Sequence, residues 1–521
     1  MVLLVLLFAG FIRVRLLDMP LERDEGEYAY AGQLILQGIP PYELAYNMKL
    51  PGTYFAYAVG MAVFGQTTAG IHLTLLAVNS LTSIFVFLLG RKLFGVTAGL
   101  VACASYALMS LNVAVLGLAA HATQFVAMFA VLATWLLWRA VESKKRLIFF
   151  FSGLLYGLAF MMKQPGICFG CFGVFFLIWR AARNRSLFTR DFTGSILTFG
   201  VAMILPFAFF CLAAVAVGDF SRFWLWTFNY ASSYATGCPL GEGMQNLYFY
   251  VLKQFSVYVG FVILAGVGLV VALRRPKFRG ELFFALAFLF FSFLGTTPGL
   301  YFRPHYFVLL LPAVAILAGM AVMSLQSGVS QRIKIIPLLV FAAVFCWNSY
   351  LQGWMFFRLT PLQLCRIIYE DNPSIESLSV AQYIREHSKP DARIAVIGSE
   401  PQIYFYSGRH SATGYVYMYP LMESQPYAAA MQREMIGEIE SAKPEFIVLV
   451  GYKYSWLMKP ASDRSILKWA ENYTRQFYEP AGFIDHRPDG QVVWVPGSDA
   501  ASFHGALDQF MVIYQRKLDA G

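Results

Sequence analysis

Charge is what this 521-residue chain has least of: 13% of its residues are charged, against 58% hydrophobic and a mean hydropathy of +0.57. A soluble enzyme of this length does not reach such values, so a water-dispersed globular protein is excluded. Cysteine is sparse too, at seven. Most of these lie in apolar runs, which leaves Cys238 and Cys365 as the one pair open to an outer disulfide. Cys168 and Cys171 have two-residue spacing but no second pair, and read as packing rather than a metal or redox site. No basic residue precedes the first apolar run, which argues against a cleaved secretory signal; a start codon placed too late would give the same pattern. Internal repeats and low-complexity tracts are absent.

What the chain has instead is a series of long apolar runs separated by polar punctuation. They predict about eleven membrane spans, roughly at 1–17, 69–90, 96–114, 121–138, 147–161, 165–179, 192–217, 248–272, 282–294, 306–323 and 335–352. Basic residues collect on alternate loops: Arg91 and Lys92; 139–146; Arg180, Arg183, Arg185 and Arg190; Arg274, Arg275, Lys277 and Arg279; Arg332 and Lys334. That asymmetry predicts a cytoplasmic N-terminus in a plasma or inner membrane, with the C-terminal part outside. The net charge of +10 is accounted for by those loops meeting anionic lipid, with no nucleic-acid partner. Arg13 and Arg15 do not fit, since they stand at the outer end of the first span; snorkelling and an anionic ligand are both open readings.

The expected domains are a membrane part over 1–355, carrying an acidic outer loop at 18–50, and a soluble α/β domain over 356–521 large enough for its own core. In the latter, Ser374 can cap a helix running to His387, 393–398 and 445–451 read as buried strands, and 426–442 and 463–477 as helices. A hairpin is expected from 482–486 and 491–495 around a turn at 488–490.

The acidic loop is the most informative stretch. Four carboxylates, Glu22, Asp24, Glu25 and Glu27, follow the first apolar run directly, and an aromatic segment then leads to Lys49-Leu50-Pro51-Gly52. With Lys163-Gln164-Pro165 and Tyr301-Phe302-Arg303-Pro304-His305-Tyr306, this ordered set resembles the C-type membrane glycosyltransferases (GT-C). The branch is glycosyltransferase family 39, which contains the protein O-mannosyltransferases and aminoarabinose transferases. The resemblance covers about residues 1–350. It implies a GT-C membrane fold, a sugar donor carried on polyprenyl phosphate, and transfer with inversion to a lipid, glycan or protein acceptor on the outer face. Where the aminoarabinose branch has an arginine after its Asp-Glu-Thr, Glu27 stands here, and Met48 replaces its glutamate before Lys-Pro. Sugar and acceptor therefore stay open.

The residue chemistry suits such a transfer. A hydroxyl acceptor needs a positioned base, and partial desolvation raises a carboxylate toward the working range. Asp24 is the expected base, with Glu25 orienting it or the acceptor. The departing phosphate needs preplaced cations; Lys49 and Arg303 are the first candidates, with Lys163, His305 and Tyr28 completing the expected substrate-binding set. Each has a plainer alternative: a dipole-favoured first helical turn for Asp24 and Glu25, an interfacial anchor for Lys49, a helix end for Lys163, a satisfied interfacial histidine for His305. His121 has less behind it. Phe223, Trp224, Trp226, Phe228, Tyr230 and Tyr234 read as an interfacial belt or a sugar groove. Asp24, Glu25 and Glu27 could hold a divalent metal, but helical spacing turns Glu25 away from the other two; no cofactor is expected. A flippase for lipid-linked sugars is the alternative of another class, and it requires mid-membrane ionisable groups and a repeat.

Overall fold

The computed structural model describes residues 1–274, 278–328, 330–370, 372–486, 492–502 and 509–518. The expected turn at 488–490, with Arg275 and Lys277, lies outside them. Helices stand at each of the expected apolar segments. They begin with α1 (Val2–Arg15), α2 (Arg23–Leu36), α3 (Gly52–Phe64), α4 (Thr68–Phe94), α5 (Val96–Met109), α6 (Ala122–Ser143), α7 (Arg146–Met162), α8 (Ile167–Arg183) and α9 (Arg190–Val217). Among the described residues, six helical segments can cross a membrane by length and composition: Thr68–Phe94, Ala122–Ser143, Gln164–Arg183, Arg190–Val217, Pro304–Gln326 and Gln331–Arg358. The chain is a polytopic α-helical membrane protein. Close packing of these helices uses small residues: Gly153 and Gly157 on α7 lie directly under the backbone carbonyls of Phe199 and Met203 on α9, where a Cβ would not fit.

The basic loops gather at one end of the bundle. Lys92 pairs with Glu142 at 2.8 Å, the Arg146 guanidinium lies over Gly194, and that of Arg183 over Gly280. Arg13 and Arg15 at the opposite end neither snorkel nor await a ligand. Arg13 is buried and donates to the carbonyls of Ser110 and Gly117 at 2.9 and 3.1 Å. Arg15 donates to the carbonyls of Phe356, Phe357 and Leu359, at the C-terminus of the helix Ile336–Arg358. These are the carbonyls a helix end leaves unsatisfied, and the cation also meets the negative end of the helix dipole.

The acidic segment expected as an outer loop is largely helical, and with α3, which lies outside the expected spans, it forms a helical pair at the end opposite the basic loops. The C-terminal domain sits on this pair. Among the described residues its six strands are β1 (Arg393–Ile397), β2 (His410–Ser411), β3 (Phe446–Val450), β4 (Tyr478–His486), β5 (Val492–Pro496) and β6 (Phe510–Arg516), in the order β2-β1-β3-β6-β4-β5. Strands β2, β1 and β3 run parallel; β6 inserts antiparallel between β3 and β4. Helices Ser374–His387, Ala428–Ala442 and Ser465–Phe477 fall where expected. Ser374, however, is the first helical residue and makes no capping bond, whereas Asp463 takes the Ser465 amide at 2.9 Å. Cys238 and Cys365 are both free thiols, Cys365 packing against the Pro20 carbonyl.

Docking of the two parts is intimate. Tyr30 of α2 stacks on Tyr404 at 5.0 Å and its hydroxyl accepts the Ser411 amide at 2.7 Å. A Cβ on Gly26 would come within 2.6 Å of Gln402, so only glycine permits α2 to approach this closely. Of the aromatic set at 223–234, Trp226 and Tyr230 are buried beneath the soluble domain, Trp226 against Tyr415 and Tyr230 donating to Glu423 at 2.7 Å. They form a docking surface, while Trp224 stays exposed against Phe228. The seam is closed by Arg23, whose guanidinium meets the fully buried Glu400 at 2.8 Å. Breaking this pair strands a buried charge, so Glu400→Ala should cost about 3–5 kcal/mol. Equilibrium denaturation in detergent checks this; a loss below about 1 kcal/mol would mean water already screens the pair.

Candidate active site

The first turn of α2 is fixed by a reciprocal cap. The Glu22 carboxylate accepts the Glu25 amide at 2.9 Å, and Glu25 accepts the Glu22 amide at 3.4 Å. Glu25 is fully buried, with its other oxygen on the Ala120 amide at 2.6 Å and 3.4 Å from His72 Nε2. It therefore touches neither Asp24 nor the open side of the site. The expectation that Glu25 orients the base or the acceptor is corrected: it fastens the helix that carries Asp24, because Ala120 and His72 take one of its oxygens and the Glu22 amide the other.

Asp24 and Glu27, one helical turn apart, point the same way and share Lys49. Its ammonium lies 2.8 Å from Asp24 Oδ1 and 2.6 Å from Glu27 Oε2, and 4.5 Å above the Tyr28 ring. Tyr54 donates to the other oxygen of Glu27 at 2.5 Å, and Tyr417 of the soluble domain to Asp24 Oδ1 at 2.8 Å. Here the sequence expectation inverts. Burial alone would raise the Asp24 carboxyl, but Lys49 and the imidazoles of His121 and His305 hold it well below the usual range. Glu27, wholly buried, is raised by desolvation despite Lys49. Lys49 in turn is kept charged, since Asp24 and Glu27 outweigh its desolvation.

Beside this triad lies a second, differently charged group. His121 stacks on His305 with centroids 4.2 Å apart, and its Nδ1 is 3.7 Å from Asp24 Oδ2. Burial pushes His121 down to about 4, so it is neutral at pH 7. Lys163 is 3.4 Å from His305 Nε2 and 4.2 Å over the Tyr306 ring. Desolvation, with Lys49 and Arg303 nearby, lowers it to about 7 against the pull of Asp24. Arg303 lies 5.7 Å from the Tyr301 ring. Among the described residues, no carboxylate pairs with Lys163 or Arg303. The expected Lys49–Arg303 couple is thus replaced: Lys49 is committed to Asp24 and Glu27, and Lys163 and Arg303 are the uncommitted cations.

The structure brings together Asp24, Lys49, Tyr28, Lys163 and His305 of the expected set, with Arg303 beside them, and sets Glu25 apart. Sequence reasoning gave Glu27 only a possible metal role, Tyr54 and Tyr417 none, and His121 little. Glu27 was signalled by its three-residue spacing from Asp24; Tyr417 had no local signal beyond an alternating tyrosine run at 415–419. The metal-capable set also differs from the acidic trio. Asp24, His121 and His305 each place one ligand atom within 4.8 Å of the others, and both His121 nitrogens lack a hydrogen-bond partner. Glu25 and Glu27 have their oxygens occupied elsewhere.

This assembly of an acidic helix, a membrane bundle and a docked α/β domain has the fold of solved C-type membrane glycosyltransferases. ArnT from Cupriavidus metallidurans in the apo state superimposes with a TM-score of 0.61 at 14% identity, covering 98% of this chain and 97% of that one. The same protein bound to undecaprenyl phosphate gives 0.59 at 15% identity over 86% of this chain and 93% of that one. The archaeal oligosaccharyltransferase AglB from Archaeoglobus fulgidus, in complex with an inhibitory peptide and a dolichol-phosphate, gives 0.53 at 13% identity over 95% and 74%. Residues 49–210, beginning at Lys49, match the family model described as dolichyl-phosphate-mannose-protein mannosyltransferase. An undecaprenyl phosphate-alpha-4-amino-4-deoxy-L-arabinose arabinosyl transferase of Pseudomonas aeruginosa (strain LESB58) is 29% identical over 222 residues. That match spans 39% of this chain and 38% of the relative's length.

Proposed function

We propose that the chain is an inverting glycosyltransferase that moves a sugar from a polyprenyl-phosphate donor to a hydroxyl of a lipid, glycan or protein acceptor at the outer face of the membrane. One observation carries this reading: Lys163, with Arg303 near it and no carboxylate pairing with either among the described residues, lies within the field of Asp24, a carboxylate kept ionised by Lys49. A phosphate held by the first pair would place its sugar toward the second. The acceptor oxygen attacks the anomeric carbon as the bond from that carbon to the phosphate oxygen breaks. Asp24 takes the hydroxyl proton, and the electron pair leaves with the lipid phosphate, whose growing charge Lys163 and Arg303 stabilise. The test is a screen of polyprenyl-phosphate sugars with purified protein in detergent, read by mass spectrometry of released lipid phosphate and glycosylated acceptor. No release from any donor would remove the reading.

No metal is needed here, because Lys49 supplies the positive charge at Asp24. Turnover should persist in EDTA; loss restored by zinc or manganese would instead make Asp24, His121 and His305 ligands.

The proposed orientation puts the basic end in the cytoplasm, with the N-terminus, and the soluble domain outside. Cysteine labels at the exposed positions Arg183 and Arg279 should be unreactive toward an impermeant reagent in intact cells, whereas labels at Asp391 or Lys459 should react. Reaction at Arg183 would reverse the topology.

A further inference from the structure

The soluble domain does more than cover the site. We infer that Tyr417 is a positioning residue for the reaction, holding the Asp24 carboxylate in the rotamer that presents its second oxygen to the acceptor; this rests on the transferase reading above. Two donors, the Tyr417 hydroxyl at 2.8 Å and the Lys49 ammonium at 2.8 Å, converge on Oδ1. Oδ2 is left facing the neutral His121, 3.7 Å away. Asp24 keeps 24% side-chain exposure whereas Glu27, on the same lysine, has none, so Asp24 is the carboxylate an acceptor can reach. A single donor on Oδ1 would leave rotation about the carboxylate free; two from different directions fix it.

The placement of Tyr417 is itself determined. The turn after β1 supplies Ser399 and Glu400. Ser399 Oγ accepts the Met418 amide at 2.9 Å, and the Ser399 amide donates to Ser455 Oγ at 2.7 Å. The same turn grips Arg23, the residue before Asp24, through the Ser399 carbonyl at 2.5 Å and the Glu400 carboxylate at 2.8 Å. One two-residue turn thus registers the catalytic carboxylate and the phenol that orients it, although these stand 393 residues apart in sequence. Tyr417 also lies with its ring 5.4 Å from the Lys49 ammonium, inside the charged cluster.

Tyr417→Phe removes the donor and keeps the ring. In the full chain with lipid donor, kcat should fall about tenfold, with KM for the donor changed less than about twofold and an unaltered thermal midpoint. Tyr383→Phe, on the far helix of the same domain, should match wild type. In an Asp24→Asn background, Tyr417→Phe should add no further loss, since a residue acting only through Asp24 has nothing left to act on. Wild-type kcat in Tyr417→Phe, or a loss that adds fully to that of Asp24→Asn, overturns the inference. If Asp24→Asn alone is fully active the transferase assignment of Asp24 fails, a result distinguishable from failure of Tyr417 alone.

Discussion

Asp24→Asn should lower turnover by about two orders of magnitude or more while leaving donor binding largely intact. The amide has the shape of the carboxylate and can still accept from Tyr417, but it cannot take a proton from an attacking hydroxyl. Lys49 would remain paired with Glu27 at 2.6 Å, so the cluster should not collapse. Glu25→Gln is expected to behave differently. Its carboxylate holds the Ala120 amide and completes the cap of α2, so its replacement should lower the melting temperature, and activity only in proportion. Steady-state kinetics with melting curves on both variants separates the two roles. Near-normal turnover in Asp24→Asn beside a selective loss in Glu25→Gln would exchange them, and would require a rearranged first turn.

Alanine at Lys163 or Arg303 should each remove a charge-assisted contact to phosphate worth about 1.5–3 kcal/mol, or roughly 10- to 150-fold. Because the leaving group gains charge chiefly in the transition state, the loss should appear in kcat as well as KM. A donor with a better leaving group should suffer less. Lys163 also carries a pH signature. An amine lowered to about 7 is charged below that pH and neutral above it, so kcat/KM for the lipid donor should fall as pH rises through about 7. Lys163→Arg should move that limb to higher pH, even where its planar fork fits the phosphate less well than a point charge. Equal losses on both donors, or an unshifted limb, would make these cations structural rather than phosphate-binding.

The membrane helices were legible because length and apolar composition suffice to mark them. So were β1, β3 and the helix Ala428–Ala442 between them, where the period is clear. The short helix α3, Gly52–Phe64, was not, although its 13 residues equal the expected span at 282–294 in length; Tyr54, Tyr57 and Met61 bury one side of it while Phe55, Val59 and Val63 stay exposed. Strand β6 escaped because its partners, β3 and β4, are remote from it in sequence. At the site, the Asp24 and Glu27 face follows from helical spacing alone. The fate of Glu25 does not, since His72 and Ala120 come from other helix ends, and neither does the ionised state of Asp24. Partial desolvation was the reasonable expectation for a carboxylate at a membrane boundary, and only the folded position of Lys49 reverses its sign. Lys49 and Lys163 look alike as loop lysines two residues before a proline; the direct carboxylate pairs made by Lys49, and by Lys163 not at all among the described residues, assign them different tasks.

The most direct measurement is single-turnover transfer from a defined polyprenyl-phosphate sugar to the acceptor found in the donor screen, with NMR of the product's anomeric centre, on wild type and Asp24→Asn. The account predicts inverted configuration in wild type and a loss of about a hundredfold or more in the variant. Retained configuration would require a covalent intermediate, and together with an active Asp24→Asn it would contradict the assignment of Asp24 as the base of a direct displacement.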